Sequence, residues 1–312
     1  MTSSSATPRS AVVVVTGANG LVGARVCTAV VERGGTVRAV VRRAGTAPVL
    51  DGVVEHVGDF ADPVFAASVV PGADAVVTTV HPMGSDRTTQ QRVAVEGTPL
   101  LARAARDAGV ARFVHVSTCA VYDRSPGTGD VDETSALVDD DADDYAVTKR
   151  DTDAALGEVS GITRVLVRPP AILGAGETSV WNTLRPADIR DDEQQRRTNP
   201  ARTFAWVHVD DLAALVADVA TGHVAGSTDG STGPVAGGCT AVNVVGEPAT
   251  ARDYVGTVCA ALGLAAAWDD ELPAWTGQIR ADRAQGWGWA PGVTLEQALT
   301  ELSEGLGGPA NP

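Results

Sequence analysis

The chain has 312 residues, 44% of them hydrophobic, enough to bury a doubly wound sheet with a smaller cap. A formal net charge of −15 argues against a nucleic-acid or anionic-membrane partner, because polyphosphate surfaces are bound by basic patches. No apolar stretch is long enough to span a bilayer and Met1 to Ser10 lacks the apolar centre of a secretory leader, so a cytoplasmic location and no membrane partner are expected.

The first element is the β-branched run Ala11 to Val15, short enough for a buried strand, which feeds into Thr16-Gly-Ala-Asn-Gly20-Leu-Val-Gly23 and a helix-compatible stretch from Ala24 to Arg33. Gly17 permits a tight turn, Gly20 lets backbone approach a pyrophosphate, and Gly23 lets helix and strand pack closely. The helix start then offers free N–H groups and a positive dipole end to phosphates. The spacing, Gly-x-x-Gly-x-x-Gly, departs from the Gly-x-Gly-x-x-Gly fingerprint of dinucleotide sites, but its place between a strand and a helix is the right one.

Thr36 to Val41 reads as the second strand and ends in Arg42-Arg43, nineteen and twenty residues beyond Gly23. An acidic side chain there would bond the ribose 2′-hydroxyl of NAD, whereas arginine suits the 2′-phosphate of NADP. NADP is therefore the expected cofactor, with NAD as the alternative. Val76 to Val80 and Arg112 to Val116 read as further strands, and Val93 to Ala108 as an amphipathic helix ending at Gly109.

A single lysine stands in the chain, Lys149, four residues after one of only three tyrosines, Tyr145; the other basic side chains are arginine. Residues i and i+4 share a helix face, so both side chains can enter one cleft. A cation there favours phenolate and would lower the tyrosine pKa towards working pH, making Tyr145 a usable proton donor or acceptor. Hydride transfer to a carbonyl leaves negative charge on oxygen, so a neutral donor and a proton source must converge on that atom.

These segments resemble the extended short-chain dehydrogenase/reductase family, of the epimerase and dehydratase type. The resemblance rests on Thr16 to Gly23, Tyr145 to Lys149, Gly58-Asp59-Phe60-Ala-Asp62, Phe113 to Tyr122, Arg168 to Gly174 and Phe204 to Leu212, and covers roughly residues 11 to 260. It implies an α/β fold: a doubly wound parallel sheet, Rossmann-like, with a smaller C-terminal substrate cap. It implies a dinucleotide-binding core over 11–170 and a cap mainly over 171–312, with 203–222 and 240–250 returning to the core. Tyr145 matches the family's general acid/base, Lys149 the residue that holds the nicotinamide ribose, and Thr118 the hydroxyl that bonds the substrate oxygen. The cofactor-binding set becomes Gly17, Asn19, Gly20, Leu21, Val22, Gly23, Arg42, Arg43, Asp59, Phe60, Thr79, Val80, Lys149 and Pro169, with Asp59 at the adenine-contacting position. A homodimer through helices that include the Tyr145 helix is the assembly the family often uses.

Departures from the family pattern bear on the substrate. The loop after the fourth strand brings in His81 where small residues usually lie beneath the nicotinamide, so His81 is a candidate to bond substrate or modulate Tyr145. Ala171 stands near the position of an asparagine that contacts the nucleotide diphosphate in nucleotide-sugar epimerases, which argues against a nucleotide-sugar substrate. Cys119 follows Thr118 and, with Trp181, is a candidate pocket residue; Trp275 is a further cap candidate. Cys27, Cys119, Cys239 and Cys259 form no metal-like cluster with the five histidines, so no metal and reduced thiols are expected. Gly222 to Gly238 reads as a mobile surface loop. The expected function is an NADP-dependent oxidoreductase acting on a carbonyl or alcohol of a small-molecule substrate. The alternatives are an epimerase or dehydratase that keeps its nicotinamide bound, and a non-catalytic NADP-sensing protein.

Overall fold

The computed structural model describes residues 10–307. Seven parallel strands form the central sheet: β1 (Val12–Thr16), β2 (Thr36–Val41), β3 (Val53–Val57), β4 (Ala75–Thr78), β5 (Arg112–Val116), β6 (Thr163–Arg168) and a late strand, Cys239–Asn243. From one edge the order is Cys239–Asn243, β6, β5, β4, β1, β2, β3. The chain therefore starts in the middle, winds out to β3, returns past β1 and winds out the other way. This reversal opens a crevice between the carboxyl ends of β1 and β4, where ligands bind in doubly wound sheets. Val13, Val14 and Val15 have no exposed surface, as expected of a strand covered on both faces by helices.

Helix α1 (Leu21–Glu32) follows β1, α2 (Pro63–Val69) follows β3, and α3 (Arg87–Gln90) opens the segment after β4. The expected helix from Val93 to Ala108 is divided: a π-helical turn covers Gln91–Glu96 and α4 runs Gly97–Asp107. Such π turns add one residue per turn and shift the side chains that follow, and here the turn packs against α5 (Asp144–Gly157). Asp143 caps α5 by accepting from the Ala146 N–H at 3.0 Å. The expected strand Val76 to Val80 ends at Thr78, and Thr79 turns its hydroxyl back to the Thr16 carbonyl at 2.8 Å.

Beyond β6 the short strand β7 (Ala171–Leu173) leads into a π-helical turn at Val180–Leu184 and α6 (Arg185–Asp191). Strand β8 (Arg197–Thr198) comes next, and β9 (Trp206–His208) pairs with β7. Helix α7 (Val209–Thr221) returns to pack on α1, and the late strand Cys239–Asn243, β10, joins the edge of the main sheet beside β6. Helix α8 (Ala251–Ala261), strand β11 (Ala267–Trp268) beside β8, α9 (Asp282–Gly286) and α10 (Leu295–Gly307) complete the chain. Trp206, Tyr254, Val258 and Leu302 form a separate apolar cluster between α8, α10 and β9, in which Phe204 stacks on Tyr254 at 4.3 Å.

The segment 222–238, expected as a mobile loop, is a tied structure. Ser227 donates to the Gly233 carbonyl at 2.7 Å and accepts from the Gly230 N–H at 2.8 Å. The indole of Trp287 donates to the Gly230 carbonyl at 2.9 Å. Its glycines and serines serve close turns and local hydrogen bonds, which composition cannot distinguish from flexibility. Among the described residues no helix is long and apolar enough to cross a membrane.

Candidate active site

All seven strands run in parallel, so the loops after β1, β2, β3, β4 and β5 gather at one end of the sheet. The first of these is the glycine turn. Gly17 has φ 69°, and a Cβ there would lie 2.8 Å from both Thr79 Oγ1 and Val80 Cγ2; a Cβ on Gly23 would lie 2.1 Å from the Gly17 carbonyl oxygen. The β1 turn, the β4 loop and α1 thus close on one another only without side chains at these two positions. Gly20 caps α1 with no side-chain hydrogen bond, and no acidic residue lies in its first turn. The leading N–H groups keep their partial positive charge with no carboxylate to neutralise it, which fits a dinucleotide pyrophosphate.

Arg42 and Arg43 are exposed immediately after β2, and their guanidinium groups make no ion pair among the described residues. Asp59 is exposed after β3 and accepts from the Ala61 N–H at 2.9 Å, whereas the Phe60 side chain is buried in the core and leaves only its backbone near the crevice. Asn19 is exposed, Leu21 and Val22 are half-buried at the start of α1, and Pro169 follows β6, its carbonyl accepting from the Cys119 N–H at 2.8 Å.

Thr118, Tyr145 and Lys149 converge at the carboxyl end of β5. The Thr118 hydroxyl lies near enough to the Tyr145 phenol to favour its ionised form. Thr118 Oγ1 also accepts from the Ala120 N–H at 3.1 Å, which fixes its rotamer. Lys149 is 3% exposed and donates to the Val116 carbonyl at 2.8 Å. Burial pushes its pKa down to about 8, against the opposing pull of Asp153. The expected depression of Tyr145 by Lys149 is not found. Burial pushes the phenol up, and only the Thr118 hydroxyl lowers it. Removing water from a phenolate costs more than a cation already committed to a carbonyl returns.

His81 lies edge-on to the Tyr145 ring, centroids 4.9 Å apart and planes at 87°. Its Nε2 is 2.9 Å from Gln90 Oε1, and its Nδ1 is buried without a hydrogen-bond partner among the described residues. Burial first and Lys149 second hold its pKa down to about 4. The Thr148 hydroxyl donates to the same Gln90 oxygen at 2.9 Å, so one amide joins the β4 loop to the Tyr145 helix.

One expected substrate residue is closed off from the crevice, and a second belongs to the cap. Cys119 has no exposed surface; its Sγ donates to the Arg168 carbonyl at 2.9 Å and burial pushes the thiol up to about 12, so it packs beneath the site. Trp181 is half-buried and edge-on to Phe204 and Tyr254 at 5.3 and 5.4 Å, part of the cap's own apolar cluster. Trp275 is buried too, donating to the Gly129 carbonyl at 3.0 Å. A depression of about 500 Å³ lined by Pro63, Ala67, Leu100 and Arg103 lies away from these groups.

Sequence reasoning missed the support beneath the lysine. Asp153, one turn further along α5, accepts from Arg168 Nε at 3.0 Å, and both are nearly fully buried. Arg168 donates on to the Tyr122 hydroxyl at 2.9 Å, which donates to Asn243 Oδ1 at 2.7 Å. The signal was available: Asp153 repeats the i+4 step from Lys149 that links Lys149 to Tyr145. Gln90 had no such signal, because only the π turn and the loop geometry bring it to His81.

A reversed parallel sheet, a glycine turn against an uncapped helix and a hydroxyl-phenol-ammonium group at the crevice define a dinucleotide-binding protein of the oxidoreductase and epimerase kind. The family model for NAD(P)H-binding proteins matches residues 17–222, and the chain belongs to that family, within the extended short-chain dehydrogenase/reductases. It is 31% identical over 184 residues to the 3 beta-hydroxysteroid dehydrogenase/Delta 5-->4-isomerase of Mycobacterium tuberculosis, covering 55% of this chain and 50% of that protein. It is 33% identical over 182 residues to the 4-hydroxy-2-methyl-3-oxo-4-farnesyl-3,4-dihydroquinoline-1-oxide ketoreductase of Stigmatella aurantiaca, covering 53% and 51%. The matched stretch thus spans about half the length of these relatives. The crystal structure of the Bordetella bronchiseptica enzyme WbmH in complex with NAD+ shares the fold, with TM-score 0.75 and 20% identity over 94% of this chain and 97% of that one.

Proposed function

We propose that this chain is an NADP-dependent oxidoreductase that transfers a hydride between nicotinamide and the carbonyl or alcohol of a small metabolite. The observation that carries the reading is the convergence of the Tyr145 phenol and the Thr118 hydroxyl, two proton-bearing groups close enough to affect each other's ionisation, with a buried ammonium one helical turn along α5. Nicotinamide, when bound, would supply the hydride for the carbonyl carbon. Tyr145 gives its proton to the carbonyl oxygen as that oxygen becomes negative, and Thr118 donates a hydrogen bond to the same atom. A phenol whose pKa burial has raised is protonated at neutral pH, the form a carbonyl reduction consumes. Lys149, charged at neutral pH with a pKa of about 8, stands one helical turn along α5 from the phenol. Arg42 and Arg43 meet the ribose 2′-phosphate. The dehydrogenase and ketoreductase relatives support hydride transfer to or from a secondary alcohol.

The test is to denature freshly purified protein, identify any released nucleotide, and titrate the emptied protein with NADPH and NADH before assaying a ketone panel. Selective NADPH binding with little retained nucleotide is expected. Stoichiometric retained nucleotide would favour an epimerase or dehydratase, and binding of neither would reject the oxidoreductase and the NADP-sensing readings together. Tyr145→Phe lowers turnover by roughly 10²- to 10⁴-fold with cofactor affinity retained. Unchanged turnover rejects the assignment.

A further inference from the structure

Ser85 orients the Gln90 amide, while the Thr148 hydroxyl shares its one proton between the Asp144 carbonyl at 2.7 Å and Gln90 Oε1 at 2.9 Å. The amide nitrogen lies 2.9 Å from the Ser85 carbonyl oxygen, which can only accept, so the NH₂ faces Ser85 and the carbonyl oxygen faces His81 and Thr148. The reverse orientation would press two carbonyl oxygens together. An amide oxygen can only accept, so His81 Nε2 carries the proton and donates at 2.9 Å. In a neutral imidazole the other nitrogen is then a bare acceptor. That nitrogen, Nδ1, is buried with no hydrogen-bond partner among the described residues, on a ring in edge contact with Tyr145. A buried acceptor left unpaired is destabilising, and groups of this kind persist where a ligand completes them.

We propose that His81 Nδ1 is the acceptor by which the site selects carbonyl substrates bearing a hydroxyl group next to the reacting carbonyl. The inference rests on the oxidoreductase reading and narrows its substrate class. Three features support it. The ring packs edge-on against the proposed proton donor, centroids 4.9 Å apart, so the imidazole stands beside the group that protonates the carbonyl. The ring is neutral, held so by burial and by Lys149, and therefore accepts from a hydroxyl rather than pairing with a carboxylate. Finally, Gln90 is 5% exposed and anchored by Ser85 and Thr148, so the lone pair is held in place before any substrate arrives.

The experiment has two arms. The first records imidazole ¹⁵N spectra of the wild type saturated with NADP⁺, then adds 2-hydroxycyclohexanone or cyclohexanone. The bare-Nδ1 tautomer is expected, with its Nδ1 resonance moved by the hydroxyketone and not by the plain ketone. An Nδ1-protonated ring, or no response to the hydroxyketone, overturns the proposal. The second arm measures kcat/KM with NADPH for both ketones. The hydroxyketone is expected to be preferred by about 10-fold or more. In His81→Gln, whose amide reaches the Nε2 position and keeps the Gln90 contact, the ratio falls to near one. In His81→Asn, whose amide occupies the Nδ1 position, part of the preference remains. If the preference instead survives in His81→Gln and disappears in His81→Asn, the ring serves only to hold Gln90 and the proposal is wrong. If neither ketone is reduced, the oxidoreductase reading is at fault for these substrates, and the spectral arm alone decides the role of Nδ1.

Discussion

Two groups of cations flank the crevice, and they are built in opposite ways. Arg42 and Arg43 stand in water after β2 with no ion-pair partner among the described residues. Lys149 and Arg168 are buried beneath the sheet's carboxyl edge, with Asp153 between them as the one buried carboxylate of the cluster. The exposed pair costs folding almost nothing and exerts its attraction only when a ligand excludes the water. The buried cluster carries two cations against one anion, and the loss of water on burial, only partly offset by Asp153, is visible in the depressed pKa of Lys149. Charge that recognises can stay hydrated, whereas charge that must act beside a phenol has to be desolvated during folding.

The sharpest break in that comparison is Asp153→Asn. It leaves two buried cations with no carboxylate between them, and removing one partner of a buried pair costs about 3–5 kcal/mol. Urea unfolding at pH 7 checks this, and a loss under about 1 kcal/mol would mean the cluster is wetter than its burial indicates.

Lys149→Met should act in the other direction. With a folded pKa of about 8 against a reference of 10.5, the native site has released a proton that the unfolded chain still binds between those pH values. Stability from this group therefore rises with pH across that window, and its penalty is fully present below about pH 8. Removing the ammonium is expected to stabilise the protein by up to about 3 kcal/mol at pH 7, an advantage that shrinks to nothing by about pH 10.5. Comparing the variant with wild type at each pH cancels the titration of the buried thiols. Destabilisation by Lys149→Met would show that its bond to the Val116 carbonyl outweighs desolvation.

On the exposed side, Arg42→Asp leaves stability unchanged and shifts the ratio of NADPH to NADH dissociation constants by about 10-fold or more, the worth of a charge-assisted hydrogen bond. A ratio that stays put would remove Arg42 from the 2′-phosphate. It would leave Arg43 as the exposed cation for that phosphate.

Much of the framework can be read along the chain. Buried parallel strands need continuous β-branched runs and tight turns need glycine, so Thr36 to Val41 and Arg112 to Val116 are read at their observed limits and the glycine turn is found where β1 meets α1. The i+4 step places Tyr145 and Lys149 on one face of α5, because helix geometry is local. Burial and partners are not local. Neither Lys149 on the Val116 carbonyl, nor Cys119 beneath the site, nor Gln90 against His81 follows from spacing, since each depends on elements far apart in the chain meeting at the sheet edge. The same holds for the 222–238 segment, whose glycines are compatible with a free loop until Trp287 arrives to dock on it. By itself, then, the sequence determined the strand and helix order, the glycine turn and the pairing of phenol with ammonium. The tertiary structure alone decided which charges are stripped of water, which side chains surround His81 and which aromatic rings pack together, because solvation and long-range hydrogen bonds exist only once the layers close.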